Sequence, residues 1–156
     1  MATATQAPAG AQAGSYVDPY RSYNFRLEIN GVTEAYFHEC SGIGVKIKTV
    51  RWRSGGKSQI VHCLPGRVEY TDIKLRYGLT NSADMWQWLQ TAVQGCVQRK
   101  DAAIVLLDND GVKEAMRWNL SQAWIAEWNG PTLNALGNEV AIEEIVLVCE
   151  SVRRDV

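Results

Sequence analysis

The sequence predicts a mainly β domain, an antiparallel β-sandwich or barrel of about seven to eight strands with one flanking α-helix. Three observations carry that prediction. Short runs alternate apolar and polar residues at the period of a half-buried strand, as Tyr23, Phe25, Leu27 and Ile29 do against Asn24, Arg26, Glu28 and Asn30. Turn signals separate the runs: Asn30-Gly31, Ser54-Gly55-Gly56, Pro65-Gly66 and Asp108-Asn109-Asp110-Gly111. One segment alone, Asn81 to Gly95, has a convincing helical period.

In chain order, the first strand runs from Tyr23 and meets Asn30-Gly31, two residues that tolerate the positive φ of a type I′ hairpin turn, so a second strand should return from Val32 to Phe37. The run VKIKTVRWR, Val45 to Arg53, starts with Val45 and Ile47 alternating against Lys46 and Lys48, then changes phase so that Val50 and Trp52 oppose Arg51 and Arg53. A β-bulge, or a strand passing between environments, produces such a change. After the Ser54-Gly55-Gly56 loop a strand resumes at Gln59 and should stop at the breaker Pro65-Gly66. Ile73, Leu75 and Tyr77 mark the next strand.

The helix should be capped by Asn81 or Ser82, carry Asp84 in its first turn and end at Gly95. Its apolar stripe is Met85, Trp88, Leu89, Ala92, Val93 and Cys96, with Trp86 partly off it. Strands then return at Ala103 to Leu107. A long extended stretch follows, with Val112, Met116, Trp118, Leu120, Trp124 and Trp128 on one parity. After Asn129-Gly130-Pro131 a last strand runs from Glu139 to Cys149.

Length and composition limit the function classes. At 156 residues the chain suits one domain, residues 18–156, behind a leader, residues 1–17, that has no charge and little to bury and is expected to be flexible. The leader does not read as a secretory signal or a transit peptide. Sixteen basic residues nearly cancel seventeen acidic ones, a net charge of -1, so no bulk field points to nucleic acid or an anionic membrane. No apolar run approaches the roughly 20 residues that span a bilayer. Cys40, Cys63, Cys96 and Cys149 lack CxxC spacing and read as free, mostly buried thiols.

Chemical motifs fail on inspection. RSGGKS, Arg53 to Ser58, resembles the end of a phosphate-binding loop, but the first required glycine is Arg51 and a β-rich run follows where a helix is needed. Asp108-Asn109-Asp110-Gly111 lacks the ligand spacing of a calcium loop. His38 with Cys40 and His62 with Cys63 form a metal site only if two strands bring them together. No catalytic residue, cofactor site or metal site is assigned.

Two features exceed what a monomeric sandwich needs. Six tryptophans are many for a core this size, and large aromatics favour subunit contacts, although a core role for all six stays open. Charge is also segregated, with Lys46, Lys48, Arg51, Arg53 and Lys57 on one segment and Glu139, Glu143, Glu144 and Glu150 on another. Placed on opposite edges, these segments would join identical subunits head-to-tail, with Lys46, Lys48, Glu143 and Glu144 as the pairing candidates. Solvated strand faces are the plainer reading.

Several stretches, in this order, resemble one family: DPYRSYNFRLEINGV, ECSGIGVKIKTVRWRSGG, LPGRVEYTDIKLRYGLT, DMWQWLQ, GCVQRKDAAIVLLDNDG, RWNLSQAW and, above all, NGPTLNALGNEVAIEEIVL. The order and spacing, from Asp18 to about Glu150, are similar to the inner-tube proteins of contractile phage tails and phage-tail-like injection systems. The chain departs from the family at Ile125, where a proline is common. The resemblance implies a structural subunit that is not an enzyme. It implies hexameric rings stacking into a hollow tube, with sheath, baseplate and tube-capping proteins as partners and protein cargo in the lumen. It implies no specific nucleic acid and no membrane anchor. The subunit would be made in the cytoplasm and built into a virion tail or an injection particle, released or not. It further implies an inter-ring docking loop at Val50, Arg51, Trp52, Arg53, Ser54, Gly55, Gly56, Lys57 and Ser58. A tube-initiator paralogue at the baseplate and a secreted ring carrying effectors are neighbouring readings. A metal-binding β-barrel enzyme using His38, His62 and the cysteines is the remote one.

Overall fold

The computed structural model describes residues 20, 22–30, 32–35, 37–53, 55, 56, 60–79 and 83–155. The leader, Ser54, Lys57, Ser58 and the proposed helix caps Asn81 and Ser82 lie outside the described residues. Ten strands and one helix are present there: β1 (Phe25–Ile29), β2 (Val32–Ala35), β3 (Glu39–Ser41), β4 (Val45–Arg53), β5 (Val61–Tyr70), β6 (Ile73–Gly78), α1 (Asp84–Val93), β7 (Lys100–Leu107), β8 (Glu114–Asn129), β9 (Ile142–Val148) and β10 (Ser151–Asp155).

Eight strands make one antiparallel sheet: seven follow the path β2-β1-β7-β8-β9-β6-β3, and β10 pairs with β8 off that path. The first half of β8 pairs with β7 and β10, the second half with β9. The path therefore folds over along β8, giving two layers of a sandwich and not a closed barrel. The corner falls at Gln122, whose φ of 53 is in the left-handed region and whose N–H donates to the Asp101 carboxylate at 2.9 Å. Between the layers lie Leu27, Ile29, Ile73, Leu75, Ile104, Leu120, Ile125, Ile145 and Leu147, with Met85 and Trp88 of α1 closing one side.

The remaining two strands stand apart. β4 and β5 form a separate two-stranded sheet, here termed the arm, and neither packs extensively on any other element. Its base is fastened at Gly42, where φ is +86 and a β-carbon would sit 2.2 Å from the Asp72 carbonyl oxygen. The Thr71 hydroxyl beside it donates to the Gly42 and Gly44 carbonyls.

The β1–β2 hairpin, the β6 alternation and the Asp108–Gly111 turn are as the sequence predicts; Asn30 has φ 51 and the Gly111 N–H donates to the Asp108 carbonyl at 2.8 Å. Four expectations are corrected. β5 does not stop at Pro65-Gly66 but runs through it. A two-stranded ribbon leaves one edge of each strand unpaired, which tolerates proline, and Gly66 lets the Lys48 carbonyl approach to 2.6 Å of where a β-carbon would be. The single parity along residues 112–128 breaks at the corner: Trp118 and Leu120 face the core before it, Ala123 and Ile125 after it, and a register shift then brings Trp128 inward. Val112 is exposed. The last extended region is two strands, β9 and β10, and the short β3 was not anticipated. Helix α1 has no side-chain cap at Ala83, and of its predicted stripe Val93 and Cys96 are exposed.

Candidate functional site

The arm is where the chain leaves most apolar surface uncovered. Val45, Ile47, Val50, Trp52, Leu64 and Val68 are all more than half exposed. An isolated two-stranded hairpin is marginal in water, so such a ribbon needs a cover. Register shows how the apolar residues are distributed. Val45 pairs with Tyr70 and Ile47 with Val68, then the register shifts between Ile47 and Thr49, and Val50 pairs with Leu64 and Trp52 with His62. Residues 45 and 47 occupy one face of β4, residues 50 and 52 the other. The register shift puts its extra residue on β5, around Gly66, so β4 keeps its alternation and the predicted phase change carries its apolar set from one face to the other. Near the base the opposite face is charged, with Lys46 opposite Glu69 and the Lys48 ammonium 2.5 Å from the Glu69 carboxylate. Nearer the tip, the Trp52 and His62 rings stack at 5.7 Å.

The described part of the predicted docking stretch, Val50 to Arg53 with Gly55 and Gly56, lies at the end of this arm. Val50 to Arg53 finish β4; Gly55 and Gly56, the latter with φ +119, follow in open space; β5 starts at Val61. The connection is strand to strand, not the strand-to-helix passage a phosphate-binding loop requires.

A second uncovered region is the connection from Gly130 to Ala141. Leu133 and Val140 are strongly exposed and Leu136 is 98% exposed. The segment is nevertheless shaped, because the Leu136 N–H donates to the Asn134 side-chain oxygen at 3.0 Å and the Gly137 N–H to the Asn134 carbonyl at 3.2 Å. It joins the sandwich where the Leu79 N–H donates to the Ala141 carbonyl at 3.0 Å. Nearby, Trp86 of α1, 47% exposed, packs edge-on against Trp128 at 5.1 Å. Of the six tryptophans, Trp88 is buried, Trp118, Trp124 and Trp128 are half-buried, and Trp52 and Trp86 are exposed.

The four charge candidates lie on separate elements, Lys46 and Lys48 on the arm and Glu143 and Glu144 at the start of β9. Within the chain the structure does not bring the two pairs together. Glu144 lies 3.6 Å from the Arg76 guanidinium, and Glu143 accepts from the Tyr77 hydroxyl, whose pKa is raised by burial first and by that bond second.

Sequence reasoning missed an ionic network on the sheet face away from the core. Glu28, the one buried charged residue among those described, accepts from Arg26 at 2.8 Å and Arg117 at 2.9 Å, and both arginines reach Glu114. Arg117 above all holds the Glu114 carboxyl below its ordinary range. The four charges cancel, and the network clamps β1 to β8 across Val105 and Ala103. The alternation of Arg26 and Glu28 on the polar parity of β1 was its only sequence signal.

The histidines and cysteines do not converge. His38 and Cys40 lie at β3, which pairs with β6, while His62 and Cys63 lie on the arm. Among the described residues no three His, Cys, Asp or Glu side chains are grouped to hold a metal ion. Cys63 and Cys96 are exposed, against the expectation of mostly buried thiols; Cys40 is half-buried, and burial followed by the Glu39 charge pushes its thiol up to about 12. An open cleft of ≈ 440 Å³ beside Cys40 is walled mainly by apolar side chains such as Phe25, Ile43, Leu106 and Trp118. No helix among the described residues is long and apolar enough to cross a membrane.

The described residues thus form a sandwich that leaves an arm and an apolar loop uncovered, surfaces suited to contacts with other chains. Comparison with known proteins decides which assembly: the family described as "T4-like virus tail tube protein gp19" matches residues 21–153. The chain belongs to the T4-like tail tube protein family. Two solved structures support this at similar length. A chain of the sheath–tube complex of an extracellular contractile injection system, PVC, in its extended state has 27% identity and a TM-score of 0.78, covering 88% of this chain and 91% of that one. A chain of the anti-feeding prophage cap, the AFP tube terminating cap, has 25% identity and a TM-score of 0.82, covering 94% and 96%. Hcp1 from Flavobacterium johnsoniae shares the fold, at 12% identity and a TM-score of 0.51 over 83% of this chain and 93% of that one. A comparison with curated protein sequences finds no match. As a tail tube protein the chain is a structural tube subunit of a phage tail or a phage-tail-like contractile injection particle.

Proposed function

We propose that this tail tube subunit forms hexameric rings that stack into a hollow channel inside a contractile sheath, and that the arm end, Val50 to Ser58, docks each ring on the next. Contraction of the sheath then drives the tube through a target envelope, with baseplate and capping proteins at the two ends and protein cargo inside. The role is mechanical. The single observation that carries the docking assignment is the arm itself: a long ribbon with half-exposed valines, a leucine and a tryptophan, without extensive packing on any other described element. Many weak contacts of this kind act in parallel around a ring, which makes the stack stiff.

The test is to replace residues 54–58 by a shorter turn and examine the purified protein by negative-stain electron microscopy together with its mass in solution. Six-fold rings that no longer stack are expected. Tubes of full length from the shortened variant would show that the arm end is not the docking element.

A further inference from the structure

The arm and the 130–141 loop leave the sandwich at opposite ends of one strand. The arm is rooted beside Asp72 and Ile73, where the Thr71 N–H donates to the Gly44 carbonyl. The loop is tied to Leu79, one residue past Gly78. β6 joins those points, Ile73 pairing with Leu147 at the arm end and Gly78 with Ile142 at the loop end. At about 3.3 Å per residue the two ends are roughly 17 Å apart, whereas β4 alone extends roughly 26 Å. A contact between arm and loop of different copies is therefore head-to-tail, and such contacts repeat from copy to copy, along an open stack where the rotation between copies does not close a ring.

The two ends also match chemically. Both present large exposed apolar side chains, Trp52 and Leu64 on the arm, Leu133 and Leu136 on the loop. The arm is basic, with Lys46, Lys48, Arg51, Arg53 and Arg67 against Glu69. The loop end is acidic, with Glu127, Glu139, Glu143 and Glu144 against Arg76. Opposed charge fixes orientation and rejects the arm-to-arm and loop-to-loop alternatives.

We infer that the exposed 130–141 loop, with Leu136 at its apex, is the seat on which the arm of a second copy of this chain docks. This rests on the reading of the arm as the inter-ring element and names the surface that receives it. Each subunit is then donor at one end and acceptor at the other, and tube growth is polar.

Two experiments test the seat on the full-length chain. The first is Leu136→Asp, read by electron microscopy and solution mass. Leu136 touches almost nothing in its own chain, so rings are expected to persist while tubes are lost or need at least tenfold more protein. Tubes at the wild-type concentration, or failure of the rings themselves, overturn the inference. The second is Leu136→Cys in a Cys96→Ser background, treated with a short bis-maleimide after tube assembly, so that the native Cys63 on the arm is the intended partner. A ladder extending beyond dimers, absent when Cys63 is replaced by serine, is expected from head-to-tail contacts. Tubes without a ladder, or a product that stops at dimers, overturn it. Failure here is separable from failure of the arm reading: if the shortened 54–58 variant still forms tubes the arm reading falls, whereas if only the Leu136→Asp protein forms them the seat alone is wrong.

Discussion

The sandwich and the arm are written in similar residues, β-branched and aromatic side chains alternating with charges, yet they end in opposite states. In β6, Ile73 and Leu75 are fully buried while Lys74 and Arg76 face out. In β4, Val45 and Ile47, then after a change of phase Val50 and Trp52, alternate with charges, and every one is exposed. The difference is the second layer. Ile73 and Leu75 of β6 share a core with Leu27, Ile104 and Leu120 of other strands, whereas β4 and β5 pack extensively only on each other. Period-2 patterning therefore reports a face that seeks cover, without saying whether the same chain provides it. In the proposed tube the unprovided cover comes from a second copy.

That contrast can be broken or sharpened by substitution. The largest effect is expected in the sandwich: Leu75→Ala should cost about 2–5 kcal/mol of subunit stability in urea unfolding, because a fully buried side chain leaves a cavity. Next is the hinge between the regions. Gly42→Ala places a β-carbon against the Asp72 carbonyl at a positive φ and should cost about 1–3 kcal/mol, lowering the unfolding midpoint. On the arm the effect should move from stability to assembly. Trp52→Ser should change unfolding by less than about 1 kcal/mol while raising the protein concentration needed for tubes about tenfold, some 1.4 kcal/mol per contact. Comparable losses in both readouts would mean the arm is part of the subunit's own core.

Smaller effects concern charge. Reversing Lys46 and Lys48 to Glu should weaken assembly a few-fold, more at low salt, and reversing Glu143 and Glu144 to Lys should partly restore it. Lys48 and Glu144 also have partners in their own chain, so absence of rescue would assign them to those local bridges. The smallest effect is acid sensitivity of the ionic clamp. Glu114 titrates below its ordinary 4.5 in the folded chain, so its contribution is complete above that pH and fades as pH falls through the lowered value. Glu114→Gln should flatten the loss of stability below pH 4.5, by a margin that exposure keeps small.

Much of the architecture was legible because it is local. Asn30-Gly31 specified the first hairpin, the 3.6 period marked α1, and the change of phase after Lys48 announced that the apolar set of β4 changes face. The misses are places where distant partners overrule local signals. Glu39-Cys40-Ser41 has no strand pattern and is a strand because β6 offers it an edge. β10 exists because the first half of β8 has a free side. Pro65-Gly66 breaks strands that are flanked on both edges, and the arm is not one of them.

The sequence by itself determined that this chain is a β-rich domain with one helix, segregated charge and more large aromatics than a core requires, since composition and period are properties of neighbouring residues. Only the tertiary structure decided that β4 and β5 stand off the body, that the parity of β8 turns over at Gln122, and that the arm and the Leu136 loop occupy opposite ends of β6. Burial and end-to-end placement depend on which strands pair across the chain, and pairing between residues far apart in sequence leaves no trace in local alternation.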